Sequence, residues 1–395
     1  MISLIEAKGY RCLRYVSSRI NPFEILVGPN ASGKSTFLDV VRFLGDLVSK
    51  GFEETISERS SNLADLIWQK KGSKFKLAVE VGIPDELIAN WKHLKQPYER
   101  CRYEISVGID HYTNENSIVE ERVLLLPKIL PAHKRGVKFV VTKLPGGNVS
   151  FIDEIGRGRG HHFKIGAQRC ALANLPEDET KFPVSTWLKR ALNESIQPIA
   201  LNSEKMRKPS PLTKHKQLLS TGSNLPWVIR FFKRKFPIKY KRWLAHIQTA
   251  LPDIQTIETI ERPEDKHCYL MVVFENGLKV PSWMLSDGTL RLLALTLVGY
   301  LDQPGIYLIE EPENGIHPQA VETVFQALSS AYEAQILFAT HSPLILSMAK
   351  PEQIICFSRT DEEGTKIIRG TDHPHLREWQ RGMNLGTLFA AGVLG

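Results

Sequence analysis

The sequence predicts an α/β fold in which a mixed, mostly parallel sheet is covered by helices and a large α+β insertion splits the core. Two observations predict this fold. Strands and helices alternate near both ends of the 395-residue chain, and the segments between them alternate like antiparallel strands. We expect an N-terminal part over 1–80, an insertion over 81–265 and a C-terminal part over 266–395. A hydrophobic content of 42% is typical of a core-forming globular chain.

The two ends of the chain share the same alternation of strands and helices. An apolar strand over 23–27 is followed by a loop and by a helix from Lys34. In the last third, helices and strands alternate in the order helix 289–300, strand 306–309, helix from 318, strand 335–339 and helix after 343. This order predicts parallel strands joined by helices.

The middle of the chain has a different pattern. Period-2 alternation predicts strands over 74–81, 102–108, 137–142 and 268–274. Apolar periodicity predicts two helices, over 184–192 and 227–251, and the second is broken at Pro237. We expect the adjacent pair His161 and His162 in a loop, because neighbouring side chains point in different directions and make a poor ligand set.

Composition excludes several classes of protein. No apolar stretch reaches the roughly 20 residues of a membrane helix, and Glu6 stands where a signal peptide needs an apolar core. The five cysteines are scattered, which argues against a zinc site or a disulfide framework. We therefore expect a cytoplasmic protein without a membrane partner.

Positive charge is concentrated in one basic segment, residues 189–243. Fourteen Lys and Arg and two Glu give it a net charge of +12, whereas the whole chain carries +8. The rest of the chain therefore carries −4. Aromatic residues interleave with these cations, from Trp227 through Phe231, Phe232 and Phe236 to Tyr240 and Trp243. We interpret the segment as a surface for DNA or another nucleic acid. An acidic protein partner and the solvated face of an amphipathic helix are the alternatives.

Residues Gly28–Ser35 match the phosphate-loop motif G-x-x-x-x-G-K-[ST] between the predicted strand and helix. This context predicts a P-loop nucleotide-binding fold, but the motif alone does not say which nucleotide is bound. We expect Lys34 to reach the β- and γ-phosphates and Ser35 to ligate Mg²⁺. The predicted nucleotide-binding residues are Gly28, Pro29, Asn30, Ala31, Ser32, Gly33, Lys34, Ser35 and Thr36.

The strand over 306–309 ends in two consecutive acids, Glu310 and Glu311. Delivering carboxylates to the end of a buried strand is costly unless something there uses them. We expect Glu310 in the Mg²⁺ shell and Glu311 as the general base for the attacking water. The alternative is an ordinary solvated strand end.

Two further motifs resemble ABC-type ATPases. Residues 285–289 (LSDGT) resemble the LSGGQ-like signature turn, and residues 339–343 (ATHSP) resemble the segment of the switch histidine. The resemblance implies that Ser286 and Gly288 bind the γ-phosphate of ATP held by a second copy, and that His341 contacts the γ-phosphate. A simple serine N-cap is the alternative for the first motif.

Within this class, residues 311–318 (EPENGIHP) resemble the RecF/SMC/OLD-like soluble ATPases of prokaryotic defence and repair. The resemblance implies a two-lobed head and a homodimer that sandwiches two ATP molecules. Glu310 stands where most relatives have Asp, and Asp287 replaces the first signature glycine, which places a carboxylate near the incoming phosphate. Gln69 is the candidate for the Q-loop glutamine.

The function that the sequence predicts is an Mg²⁺-dependent ATPase that acts as a switch on nucleic acid or on a separate effector. We expect no nuclease within the chain, because no second cluster of spaced acids follows Cys356, and a nuclease is the expected effector. An ABC transporter's nucleotide-binding subunit and a non-hydrolysing ATP-dependent scaffold remain alternatives. The basic insertion argues against the transporter, and Asp287 keeps the scaffold open.

Overall fold

The computed structural model describes residues 1–91, 97–110, 115–129, 136–156, 160–213, 217–301, 303–360, 364–377 and 385–390. Lys214 and Lys216 of the basic segment, and the last five residues of the predicted C-terminal part, lie outside these ranges.

The strands in chain order are β1 (Ile2–Tyr10), β2 (Leu13–Arg19), β3 (Phe23–Val27), β4 (Lys74–Gly82), β5 (Tyr98–Ile109), β6 (Asn116–Pro127), β7 (Lys138–Lys143), β8 (Asn148–Phe151), β9 (His161–Lys164), β10 (Ile196–Ile199), β11 (Ile254–Glu261), β12 (Cys268–Phe274), β13 (Lys279–Pro281), β14 (Gly305–Glu310), β15 (Ala334–Thr340), β16 (Ile354–Thr360) and β17 (Gly364–Arg369). The helices are α1 (Lys34–Ser49), α2 (Phe52–Ser57), α3 (Asp85–Ile88), α4 (Pro183–Glu194), α5 (Ser203–Arg207), α6 (Leu225–Lys235), α7 (Pro237–Ala250), α8 (Asp287–Tyr300), α9 (Pro318–Ser329), α10 (Pro343–Met348), α11 (Pro374–Arg377) and α12 (Leu385–Ala390).

The chain divides into two compact units, each built from three segments. Unit 1 comprises Met1–Asn21, Pro29–Ile196 and Phe357–Ile367, and unit 2 comprises Pro22–Gly28, Gln197–Cys356 and Ile368–Gly395. The three-part division at residues 80 and 265 stays a prediction. The chain passes from unit 2 to unit 1 immediately after Gly28, inside the phosphate loop.

Unit 1 contains an antiparallel sheet of eight strands in the order β2-β1-β4-β5-β6-β7-β8-β9. The ring of Phe43 on α1 packs edge-to-face against Tyr10 of β1 and Phe75 of β4, and the three centroids are 4.9–5.8 Å apart. The Tyr10 hydroxyl donates to Asp39 Oδ2 at 2.5 Å, and burial raises the pKa of Tyr10 well above its usual range. Arg59, which is 5% exposed, bonds to the same carboxylate. The hydrogen bond and the ion pair together satisfy this half-buried carboxylate.

Unit 2 contains a six-stranded sheet in the order β10-β14-β15-β3-β16-β17 and a three-stranded antiparallel sheet β11-β12-β13. The pairings β14–β15, β15–β3 and β3–β16 are parallel. One apolar core extends from β3 and β14 through α8 and α9 to α6 and α7. The indole Nε1 of Trp243 on α7 donates to Thr296 Oγ1 on α8 at 3.0 Å, which ties the two helices together.

Most predicted elements are present. The break at Pro237 is confirmed: α6 and α7 meet at Phe236, whose non-helical φ of −130° fits a residue that precedes proline. His161 and His162 lie on β9 and not in a loop, because β9 pairs with β8. The predictions missed β6, whose burial pattern is nearly continuous and lacks clean alternation.

Candidate functional site

Three predicted motifs follow the ends of three adjacent parallel strands in unit 2. Thr340 at the end of β15 is in register with Val27 at the end of β3, and Ala339 is in register with Glu310 at the end of β14. The phosphate loop follows β3, the acid pair ends β14, and His341 follows β15. Ligands of open α/β sheets bind at this carboxyl edge, so the topology of unit 2 places the acid pair and His341 where a ligand site forms.

The phosphate loop is tightly turned. Gly33, the N-cap of α1, has a φ of +106°, and a Cβ at this position would lie 2.6 Å from Thr365 Oγ1. Ala31 also has a positive φ, +58°. The Lys34 ammonium donates to the Pro29 carbonyl at 2.8 Å, and the lysine is 5% exposed. A larger residue at Gly33 would therefore meet both a backbone penalty and a clash.

The start of α1 is suited to an anion. This helix has no side-chain cap and no acid in its first turn, so its N-terminal amides and its dipole face the loop. A cavity of about 270 Å³ is lined by residues 31–36, Arg11, Cys12 and Arg359. Polyphosphate binding needs backbone amides, cations and space, and the residues present fit it.

Two arginines at this cavity were not predicted. Arg359 donates from Nη1 to the Ala31 carbonyl at 3.3 Å, and Arg11 contacts Asp39 at 3.4 Å. Both lie far from the motif in sequence, so no local pattern marked them.

Of the predicted loop residues, Pro29, Asn30, Ala31 and Ser35 are exposed, whereas Ser32 is 1% exposed and its side chain faces the protein.

Gln69 lies in a neighbouring cavity of unit 1. This cavity, of about 330 Å³, shares Arg11, Cys12 and Arg359 with the cavity of the phosphate loop. Gln69 is exposed and has a φ of +51°. The shared lining places Gln69 beside the phosphate loop, and its role as the Q-loop glutamine stays a prediction.

The acid pair stands at the exposed end of β14. Glu310 and Glu311 are both exposed. Glu311 has a φ of +48°, and its amide donates to the Ala339 carbonyl at 2.8 Å. A non-glycine residue held in this left-handed region is strained, and such strain clusters at functional sites. Carboxylate oxygens are ligands that Mg²⁺ prefers, so the chemistry of Glu310 fits that ion.

Glu313 is a residue that the sequence analysis missed. Its Oε1 accepts from Thr340 Oγ1 at 2.5 Å and from the His341 amide at 3.3 Å, and burial raises the pKa of Glu313. The same carboxylate therefore joins the loop after the acid pair to the segment of the switch histidine. The spacing of Glu313 after Glu311 was visible in the sequence, but nothing there indicated its partners.

The signature turn begins α8. Ser286 is the N-cap, and its Oγ accepts from the Thr289 amide at 3.2 Å. A Cβ on Gly288 would lie 2.8 Å from the Gly315 carbonyl, so this glycine lets the turn approach the loop after the acid pair. Asp287 is ion-paired with Arg207 of α5. The serine cap that was the alternative reading is therefore present, and it leaves Ser286 exposed.

Three of the six aromatic residues of the basic segment are buried in the core of unit 2. Phe232, Tyr240 and Trp243 are at most 5% exposed, so these three rings are not available to stack on bases. They are buried because α6 and α7 use them to pack on the core of unit 2. The cations lie outside them: Arg234 and Lys235 on α6, and Lys241 and Arg242 on α7, are exposed. None of these four forms an ion pair with another described residue.

Comparison with known proteins agrees with this architecture. A family model described as "AAA domain, putative AbiEii toxin, Type IV TA system" matches residues 174–347. The structure of an SMC head bound to the C-winged helix domain of ScpA matches with a TM-score of 0.57 and 18% identity, over 93% of this chain and 97% of that one. The SMC head domain of Pyrococcus furiosus, bound to the C-terminal domain of ScpA, gives 0.54 and 16%, over 93% and 95%. A search of curated proteins gives no match.

The chain therefore has the fold of an SMC head domain, as the sequence predicted. This is a P-loop fold with several sheets and covering helices. In the part of the chain that the structure describes, no helix combines the length and the apolar character needed to cross a membrane.

Proposed function

We propose that the protein is an Mg²⁺-dependent ATPase that works as a conformational switch. Residues 28–36 hold the phosphates, with Lys34 on the β- and γ-phosphates, and Ser35 and Glu310 hold the metal. Bound Mg²⁺ neutralises phosphate charge. Glu311 accepts the proton of the attacking water, and His341 contacts the γ-phosphate.

One observation carries this proposal: the parallel register of β3, β14 and β15. It brings Val27, Glu310 and Thr340 to the same sheet edge, and each motif begins where its strand ends. The open start of α1 and the strained Glu311 supply independent support. An accidental match to the phosphate-loop motif would require none of these features.

We further propose that two copies close around two ATP molecules, with the Ser286 turn of each copy on the nucleotide of the other. The support is that Ser286 and Gly288 are at the start of a 14-residue helix, and Ser286 is exposed. A helix N-terminus attracts phosphate through its amides and dipole. Such a turn completes a site only when a second copy presents it.

The decisive test is Glu311→Gln. The amide keeps the size of the carboxylate but cannot accept the proton, so we expect turnover to fall by roughly 100-fold or more. ATP affinity should be unchanged, and an ATP-dependent dimer should accumulate in light scattering. Glu333→Gln, at another exposed glutamate of unit 2, is the control.

Normal hydrolysis by Glu311→Gln would show that another group is the base. If the unaltered protein binds ATP without releasing phosphate, the non-hydrolysing scaffold is the correct function. Copurification with an integral membrane protein would instead favour the transporter subunit.

A second proposal concerns nucleic acid at the basic segment, and the four exposed cations on α6 and α7 support it. Arg234→Glu with Lys235→Glu should weaken duplex DNA binding and lower the slope of log affinity against log salt by about 2, because each phosphate contact releases counterions. Lys71→Glu with Lys128→Glu, which reverses two exposed lysines of unit 1, is the control. A salt-independent affinity in the unaltered protein would favour an acidic protein partner.

We also propose a separately made effector, with a nuclease as the expected class, in prokaryotic anti-phage defence or DNA repair. The similar SMC head is bound to a domain of another protein, ScpA, which supports a protein partner for this fold. Recovery of the ATP-loaded Glu311→Gln dimer from its native host, with identification of copurifying protein and nucleic acid, tests this proposal. DNA cleavage by the purified chain alone, lost in a site variant, would contradict it.

A further inference from the structure

We propose that Arg207 is a positioning residue that allows the Ser286 turn to receive a phosphate. It does so by neutralising Asp287, the acid that occupies a signature-glycine position. The inference rests on the proposed function, because it concerns how the turn accepts the γ-phosphate of ATP held by a second copy.

The guanidinium of Arg207 brackets Ser286 on both sides. Its Nε and Nη2 donate to the Leu285 carbonyl at 3.2 and 3.1 Å, and Nη2 also pairs with Asp287 Oδ1. Leu285 and Asp287 are the two neighbours of Ser286 in sequence. The arginine therefore fixes the backbone of the turn and also pairs with the carboxylate of Asp287.

Arg207 is held firmly enough to do this. The preceding residue, Met206, is fully buried in the core of unit 2. The Ser282 hydroxyl donates to the backbone carbonyl of Arg207 at 3.0 Å, and Arg291 of α8 donates to the Leu201 carbonyl at 3.4 Å, just before α5. The segment that carries Arg207 is thus attached to α8 and to the residues before it at several points.

The charges explain why this arginine is needed. An acid in the first turn of a helix is stabilised by the dipole, but it also occupies the positive potential that would attract a phosphate. Asp287 is 56% exposed in its side chain and lies next to Ser286, so it would repel the incoming anion. Arg207 cancels that charge while leaving Ser286 exposed.

The test is a double-variant cycle in the full-length protein. Arg207→Gln removes the charge and keeps a donor on a shorter side chain, Asp287→Gly removes the acid, and the third variant combines both. ATP affinity, ATP turnover and melting temperature are measured for each, and ATP-dependent dimerisation is measured in the Glu311→Gln background. Arg262→Gln is the matched control, because Arg262 forms another exposed Arg–Asp pair in unit 2, with Asp265.

We expect Arg207→Gln to bind ATP normally but to lose turnover and dimer roughly tenfold to 100-fold. Asp287→Gly alone should dimerise at a lower ATP concentration. The double variant should recover to within about threefold of the unaltered protein, because no carboxylate is left to neutralise. A purely structural role of Arg207 would not be rescued by removing the acid.

Two results would overturn the inference while leaving the proposed function intact: normal turnover and dimerisation of Arg207→Gln, or a double variant as defective as Arg207→Gln. If Arg207→Gln lowers the melting temperature, Arg207→Lys preserves the charge and should retain most of the turnover. An unaltered protein that neither hydrolyses ATP nor dimerises with it would overturn the proposed function itself.

Discussion

Two helix starts in this molecule have the geometry of anion sites, and they differ in how they treat charge. Helix α1 begins after a left-handed glycine with no cap and no acid, and Lys34 is its first residue. Helix α8 begins at a capped serine and carries Asp287 in its first turn, paired with Arg207. The start of α1 offers a cation and backbone amides to an anion. At the start of α8, Ser286 already forms hydrogen bonds within the turn, and Asp287 is already ion-paired.

The difference shows that two helix N-termini of similar geometry can differ in the charges and hydrogen bonds that an anion meets there. At α1, phosphate binding needs only a ligand, because the amides and the cation are already in place. At α8, the Ser286 hydroxyl is engaged with Thr289, and the charge at the turn is balanced by a residue 80 positions away in sequence. We infer that α1 determines nucleotide affinity, while α8 determines whether bound nucleotide leads to assembly and turnover.

The largest expected effect is at α1. Lys34→Ala removes the cation of the phosphate loop, and the lost charge-assisted bonds should weaken ATP binding by roughly 100-fold, or about 3 kcal/mol. Calorimetric titration with ATP and Mg²⁺ measures this loss. Lys50→Ala, at the other end of α1, should bind ATP normally. Equal affinities for the two variants would show that α1 is not the nucleotide site.

An effect of similar size but of a different kind is expected at α8. Ser286→Arg places a bulky cation at the exposed turn, so turnover should fall by about 100-fold while ATP affinity stays within twofold of the unaltered protein. Steady-state phosphate release and ATP titration separate the two quantities. Ser329→Arg, at an exposed serine of α9, serves as control. If Ser286→Arg lowers ATP affinity as much as turnover, the starts of α1 and α8 do not have separate roles.

The smallest effect concerns the packing of the second start. Gly288→Ala introduces a Cβ 2.8 Å from the Gly315 carbonyl, and relieving this contact should cost about 1–3 kcal/mol of unfolding free energy. Chemical denaturation measures the change, with Gly82→Ala as control, because a Cβ there meets nothing within 4 Å. An unchanged denaturation midpoint would show that the turn adjusts freely.

The sequence predicted the α/β core because its signals are local. The apolar run of β14, the helix after Pro318 and the loop between β3 and α1 each show their type within about ten residues, and all three are present. The order of the motifs along the chain was also sufficient to predict the class of protein. Strand β6 was missed because burial on both faces removes the alternation that identifies a strand.

The aromatic residues of the basic segment show what composition alone cannot predict. Phe232 and Trp243 stand beside cations in the sequence, as stacking residues do, but α6 and α7 turn these rings towards the core and the cations outwards. Helical periodicity can separate two faces, but it does not say whether an aromatic face meets a protein core or a base.

By itself, the sequence determined the P-loop class, the phosphate loop and the acid pair, because each depends on residues that are neighbours in the chain. Only the tertiary structure decided the partners: Arg207 for Asp287, Thr340 and His341 for Glu313, and Arg359 for the phosphate loop. The reason is physical. A charge or a hydrogen-bond donor is satisfied by whatever folding brings within about 3 Å, and separation along the chain does not encode that distance.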